Sequence, residues 1–117
     1  MKKIKVSEAT GKQLDWLVLK ANRNTWQMGG EPTLALMHYC TPSTDWAQGG
    51  PIIEREGIST APTTMLGMGA IYAWMATIYV DDEEPWQMHG PTPLIAAMRT
   101  HVASKLGDEP EVPEELT

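Results

Sequence analysis

The chain has no phenylalanine among its 117 residues, so the bulk of any core must come from five tryptophans, eight methionines and the aliphatic side chains. Methionine-rich packing is adaptable and poorly specifying, and it suits a binding surface as well as an interior. A single cysteine, Cys40, excludes an internal disulfide. Nine Lys and Arg against fifteen Asp and Glu give a formal net charge of -6. That balance excludes nucleic-acid binding of the usual kind, which rests on phosphate neutralisation by clustered basic residues. Long apolar runs are missing too. Residues 57 to 80 carry no charge, but Pro62, Gly67 and Gly69 interrupt the continuous stretch that a bilayer crossing requires. The first residues lack an apolar secretory segment, which predicts a cytosolic setting. Recognisable catalytic signatures are absent as well: there is no Gly-x-Ser-x-Gly elbow, no phosphate-binding P-loop and no His-Glu pair at zinc-ligand spacing. His38 and Cys40 stand two apart, but His89 and His101 do not complete a metal set. No cofactor and no metal are expected.

Three tryptophans run into glycine-proline breaks: Trp26-Gln-Met-Gly-Gly-Glu-Pro32, Trp46-Ala-Gln-Gly-Gly-Pro51 and Trp86-Gln-Met-His-Gly-Pro91. A large ring beside a sharp turn either seals a core edge or lines a pocket, because the turn lets backbone approach a neighbour closely. Both readings stand at this level.

The length fits one compact domain. Residues 2 to 6 predict a short strand or an ordered lead-in. Ser7 or Thr10 caps a helix running to about Asn22, with Leu14, Leu17, Val18 and Ala21 on one stripe and Trp16 off it. Thr33 to Cys40 predicts a strand that Pro42 ends. Ser43 then caps one helical turn over Thr44, Asp45 and Trp46, and Gly50-Pro51 restarts a helix that stops at Gly57. Ile58 to Met65 and Ala70 to Val80 predict a hairpin around Leu66-Gly67-Met68-Gly69, followed by an acidic loop from Asp81 to Glu84. Thr92 caps a final helix with Pro93 at its first position, a buried stripe of Leu94, Ile95, Met98, Val102 and Leu106, and a stop at Gly107. The order predicts an α+β domain over 1–108, with a small, mainly antiparallel sheet of three to four strands packed with about three helices. Residues 109–117 form an acidic tail expected to be solvated. A sheet this small predicts a homo-oligomer that covers an edge or a face.

Two segments, Tyr39-Cys-Thr-Pro-Ser-Thr-Asp-Trp-Ala-Gln-Gly-Gly-Pro-Ile-Ile-Glu-Arg-Glu56 and His89-Gly-Pro-Thr-Pro-Leu-Ile-Ala-Ala-Met-Arg-Thr-His-Val-Ala-Ser-Lys-Leu-Gly-Asp108, carry a resemblance. Together with Leu14-Asp15-Trp16 and Val112-Pro113-Glu114-Glu115-Leu116, they resemble the NinX-type family of small phage and prophage proteins, a family of unknown function. More distantly, the approach from Tyr39 to Ser43 and the later Ala-rich helix resemble the phage α-β-α sandwich domain. The resemblance implies an accessory protein in an infected or lysogenic bacterial cell, dispensable for building the virion.

Enzymatic chemistry requires a nucleophile or an acid-base pair held by an orienting partner. Asp45, Glu54, Glu56, His89, His101, Ser43 and Cys40 supply the residue types but no motif, and the chain is not expected to be an enzyme. Small-molecule binding has more support. Ser43, Thr44 and Thr92 lie at expected helix starts, where backbone N–H groups and hydroxyls hold anions. Arg55 and Arg99 add bidentate phosphate donors, Trp46 and Trp86 offer stacking planes, and Asp45 adds a polar contact. These eight residues are the candidate ligand contacts for a nucleotide-like small molecule, sequestered as a counter-defence device. The competing reading is an inhibitor or adaptor that grips a host protein through the acidic tail, the acidic loop, Trp16 and the methionines.

Overall fold

In the computed structural model, residues 1–25, 32, 34, 39–64, 71–81 and 83–116 are described. The chain opens with strand β1 (Lys2–Lys3), a 3-10 turn at Val6–Glu8 and helix α1 (Gly11–Thr25). Helix α2 (Trp46–Glu56), strands β2 (Ser59–Thr64), β3 (Ile71–Ile78) and β4 (Trp86–Gly90), helix α3 (Pro93–Leu106) and strand β5 (Glu111–Val112) follow. Strands β2, β3 and β4 form one antiparallel sheet in that order, and β1 pairs antiparallel with β5. The fold is α+β, as the order of elements predicts. The strand expected from Thr33 to Cys40, the apex of the hairpin and the first Trp-to-turn segment lie largely or wholly outside the described residues.

Helix α3 is the centre of the molecule. Thr92 caps it, its Oγ1 accepting from the Ile95 N–H at 3.1 Å, and Pro93 occupies the first turn as expected. The expected stripe is only part of what is covered: Leu94, Ala96, Ala97, Met98, Arg99, Thr100, His101, Val102 and Ala103 are all buried. A helix covered all round is a core element rather than a surface amphipath. The sheet covers one side, with Trp74, Ala76 and Ile78 of β3 and Trp86 and Met88 of β4 in or against the core. Helix α1 supplies Leu14, Trp16, Leu17 and Val18, and α2 adds Ile52. The approach of β4 is close enough that a Cβ on Gly90 would meet the Ala96 N at 2.7 Å and Cα at 3.1 Å.

Four local expectations are corrected. First, Trp16, off the expected stripe, is covered within the domain and is not a surface for a host protein: it is 0% exposed and its Nε1 donates to the Pro32 carbonyl at 3.1 Å. Second, α2 is one helix from Trp46, not a turn and a restart. The Ser43 hydroxyl does not cap it: Ser43 lies two residues before the cap position, with its N–H held by the buried Asp15 Oδ1 at 2.9 Å. Asp45 caps instead, its Oδ1 accepting from the Ala47 N–H at 3.0 Å. Pro51 therefore sits inside the helix. It is preceded by Gly50, which has no Cβ for the proline ring to strike. Third, Trp86 to Gly90 is a strand, with Trp86, Met88 and Gly90 turned inward and Gln87 and His89 exposed. Fourth, the segment after Asp108 is built into the domain. Its glutamates are exposed as expected, but Val112 is fully buried opposite Lys2, and the Leu116 carbonyl accepts from Gln13 Nε2 at 2.9 Å.

Replacing Gly90 by alanine is expected to cost about 1–3 kcal/mol, the range for forcing extra volume into a packed contact. Chemical denaturation should show a lower midpoint at unchanged slope; a midpoint equal to that of the parent would show that β4 and α3 separate freely.

Candidate functional site

Six of the eight candidate contacts fall at two separate hollows and two at neither. Ser43, Thr44, Trp46 and Thr92 line one small hollow together with Leu94 and Ile95, its volume about 180 Å³. It lies between the starts of α2 and α3. Asp45 stands beside it as the α2 cap, where it also accepts from Gln48 Nε2 at 3.1 Å. Trp46 is 55% exposed, so one side of its indole is open.

The polar groups of this hollow are mostly spent. Ser43 is buried against Asp15, its N–H donating to Oδ1, and the Asp15 carboxyl is pushed up from its ordinary range by burial, against the lowering effect of the Ser43 side chain and then of its N–H. The Thr44 N–H donates to the Thr41 carbonyl at 3.2 Å. At the α2 start a carboxylate already meets the free N–H groups, and α3 begins with a proline that has none to offer. The place therefore suits a planar, weakly charged group more than a phosphate. What remains for a ligand is the Trp46 face, the Thr44 and Thr92 hydroxyls and an aliphatic floor.

Arg99 belongs to a different hollow. This one measures about 480 Å³ and is lined by Ser7, Ala73, Gln87, Met88, His89, Gly90, Pro91 and Arg99. The turn at 90–92 separates the two, with Pro91 on one rim and Thr92 on the other. Arg99 is 7% exposed; its Nε donates to the Ala9 carbonyl and its Nη1 to the His89 carbonyl, each at 2.9 Å. Burial lowers its pKa from the usual arginine value, yet an arginine remains a cation.

Arg55 and Trp86 join neither group. Arg55 lies on the surface at the end of α2, where Nε meets Glu56 Oε2 at 3.0 Å and Nη2 donates to Asn22 Oδ1 at 2.9 Å. Trp86 is half-buried on the inner face of β4, opposite Ile78, and packs against the core. Two residues that sequence reasoning did not single out, Ser7 and Gln87, line the larger hollow. The alternation in Trp86-Gln-Met-His-Gly90 was the signal that could have turned Gln87 and His89 to one side of a strand.

Residues with acid-base potential do meet in one place, among α1, α2 and α3. His101 Nε2 lies 3.1 Å from Asn22 Oδ1, and because that oxygen accepts, Nε2 carries the proton. Its Nδ1 is left without a hydrogen bond, 3.9 Å from Glu56 Oε1, which also meets Lys105 Nζ at 3.0 Å. Burial raises the Glu56 pKa, but hydrogen bonds from Arg55 and Lys105 outweigh it and the net shift is downward. His101 is fully buried and lines neither hollow, so this cluster joins helices rather than facing a substrate. Ser7 and His89 share the larger hollow without a hydrogen bond between them. Among the described residues no group of three or more His, Cys, Asp or Glu could hold a metal ion, and no helix is long and apolar enough to cross a membrane.

Residues 5–105 match the family model described as Bacteriophage P22, NinX. The chain belongs to the NinX family. Membership makes it a phage protein, and the NinX match spans α1 to α3 with both hollows. No curated protein matches the chain.

The buried imidazole makes the fold sensitive to acid. Burial is the largest cause of a His101 pKa pushed down to about 4, with Glu56 pulling it up and Arg55 and Lys105 pulling it down. Unfolded, the same group titrates near 6.5. Between those values the unfolded chain binds the additional proton, so stability is full above pH 6.5 and falls as pH drops toward 4, by about 3 kcal/mol in all. Urea unfolding of the parent and of His101→Gln at pH 7 and pH 5 measures this. The parent should lose stability across the interval and the variant should lose markedly less; parallel losses would place the acid sensitivity elsewhere.

Proposed function

We propose that this NinX-family protein is a non-catalytic phage accessory protein that binds a nucleotide-like small molecule in the host cytoplasm and so keeps it from a bacterial defence pathway. The observation that carries this reading is the convergence of Ser43, Thr44, Trp46 and Thr92, from two helix starts far apart in sequence, on one open hollow. An indole with a free face stacks any base, and such stacking contributes about 1–3 kcal/mol per base. At about 180 Å³ the hollow is smaller than the usual small-molecule site. A planar ring fills it, while the rest of such a ligand extends over the surface.

A second reading, attachment to a host protein, is favoured by one feature. Tyr39 is 80% exposed and stands near Trp46, linked through Gln48, whose Nε2 donates to the Tyr39 carbonyl at 3.1 Å. Two large exposed rings are the kind of anchor that protein interfaces use. The burial of Trp16 and the pairing of β5 remove two other parts of the surface on which this reading relied. Self-association belongs to the proposal as well, since among the described residues β2 and β4 both end the sheet.

Native mass spectrometry of freshly purified protein, followed by calorimetric titration with nucleoside monophosphates and cyclic dinucleotides, tests the first reading. A retained or titrated ligand should bind at least about tenfold more weakly to Trp46→Ala, within the range for losing one stacked ring. Thermal stability should be unchanged, because that side chain is largely in solvent. A protein that carries no molecule and binds none of the panel would leave the host-protein reading in its place.

A further inference from the structure

We infer that the hollow bordered by Arg99 is a binding site for an oxyanion, the phosphate or carboxylate group of a small molecule, distinct from the Trp46 hollow and functional whether or not that one is occupied. Among the described residues Arg99 is a charge without a counter-charge: it is 7% exposed, and no carboxylate pairs with it. Two backbone carbonyls, of Ala9 and His89, take the Nε and one Nη1 hydrogen. Carbonyl dipoles satisfy hydrogen bonds but leave the net charge in place, and an unpaired buried charge is costly.

Those two bonds also set the direction of what is left. The guanidinium is planar and has five donors, so fixing Nε and Nη1 holds Nη2 in one place, without a partner among the described residues, on a side chain that borders the hollow. A fork held in this way loses little rotamer freedom when an anion arrives. Other donors stand on the same walls: the Ser7 hydroxyl before α1, and the Gln87 amide and His89 imidazole on the outer face of β4. A tether role alone needs only a neutral donor between Ala9 and His89, and it leaves the charge without a purpose.

The size and the surroundings narrow the ligand. About 480 Å³ is within the range of small-molecule sites and small for a macromolecule. The chain as a whole carries -6. A polyanion such as nucleic acid is repelled by that field, whereas a small anion with one or two charges gains the local attraction at little cost.

Isothermal titration and thermal melting with inorganic phosphate and with acetate, each at constant ionic strength balanced by sodium chloride, test the assignment. The wild-type protein should melt higher and titrate saturably with at least one of them below about 50 mM, and the arm that responds identifies phosphate or carboxylate as the preferred group. Gln87→Glu, an exposed and nearly isosteric change, places a carboxylate on the wall of the hollow. It should raise the melting temperature without added anion and weaken anion binding by at least about tenfold, as an internal counter-ion fills the role. Trp46→Ala should leave the anion response intact. No saturable response to either anion, or undiminished binding by Gln87→Glu, overturns the assignment. Loss of the response in Trp46→Ala overturns the separateness of the two sites while leaving the nucleotide reading standing.

Discussion

Covering α3 on every side is the constraint from which the rest of this structure follows. A helix turns about 100° per residue, so three consecutive polar residues in its middle must point in three directions, and here each direction is occupied. Arg99 reaches the carbonyls of Ala9 and His89, Thr100 Oγ1 lies 3.2 Å from the β3 carbonyl of Ala76, and His101 meets Asn22 of α1. Each polar side chain thus holds a different neighbour against the same helix. Small residues at Ala96, Ala97, Ala103 and Gly90 let those neighbours come close.

The same arrangement separates the two hollows. The chain enters α3 through the short turn at 90–92, and this turn has the exposed indole on one side and the buried guanidinium on the other. A single pocket holding Trp46 and Arg99 together is a natural expectation from sequence, because their neighbours Ser43 and Thr92 do meet. The helix prevents it: Thr92 and Arg99 are seven positions apart, two turns along α3.

Much of the architecture was legible in the sequence. The proline and threonine at the start of α3 and the glycine after α2 each report a local rule that tertiary packing leaves untouched. What escaped had physical reasons. Asp45 rather than Ser43 caps α2 because the helix starts only at Trp46, while Ser43, two residues before the cap, is placed by the bond from its N–H to Asp15 of α1. β4 was obscured by Gly90-Pro91, which announces a turn; the glycine is there for contact with Ala96 as well as for the turn. Of the candidate contacts, those beside helix starts were found by capping logic. The separation of Arg99 from Arg55 could not be read, since it depends on which carbonyls a folded chain brings into reach.

The pairing of β1 with β5 has a bearing on how this protein is made. Lys2 and Lys3 are made before the three helices, and Glu111 and Val112, with which they form their ladder, only after them. A nascent chain therefore carries β1 without its ladder until α3 has been made, and this seam closes after the helices have emerged.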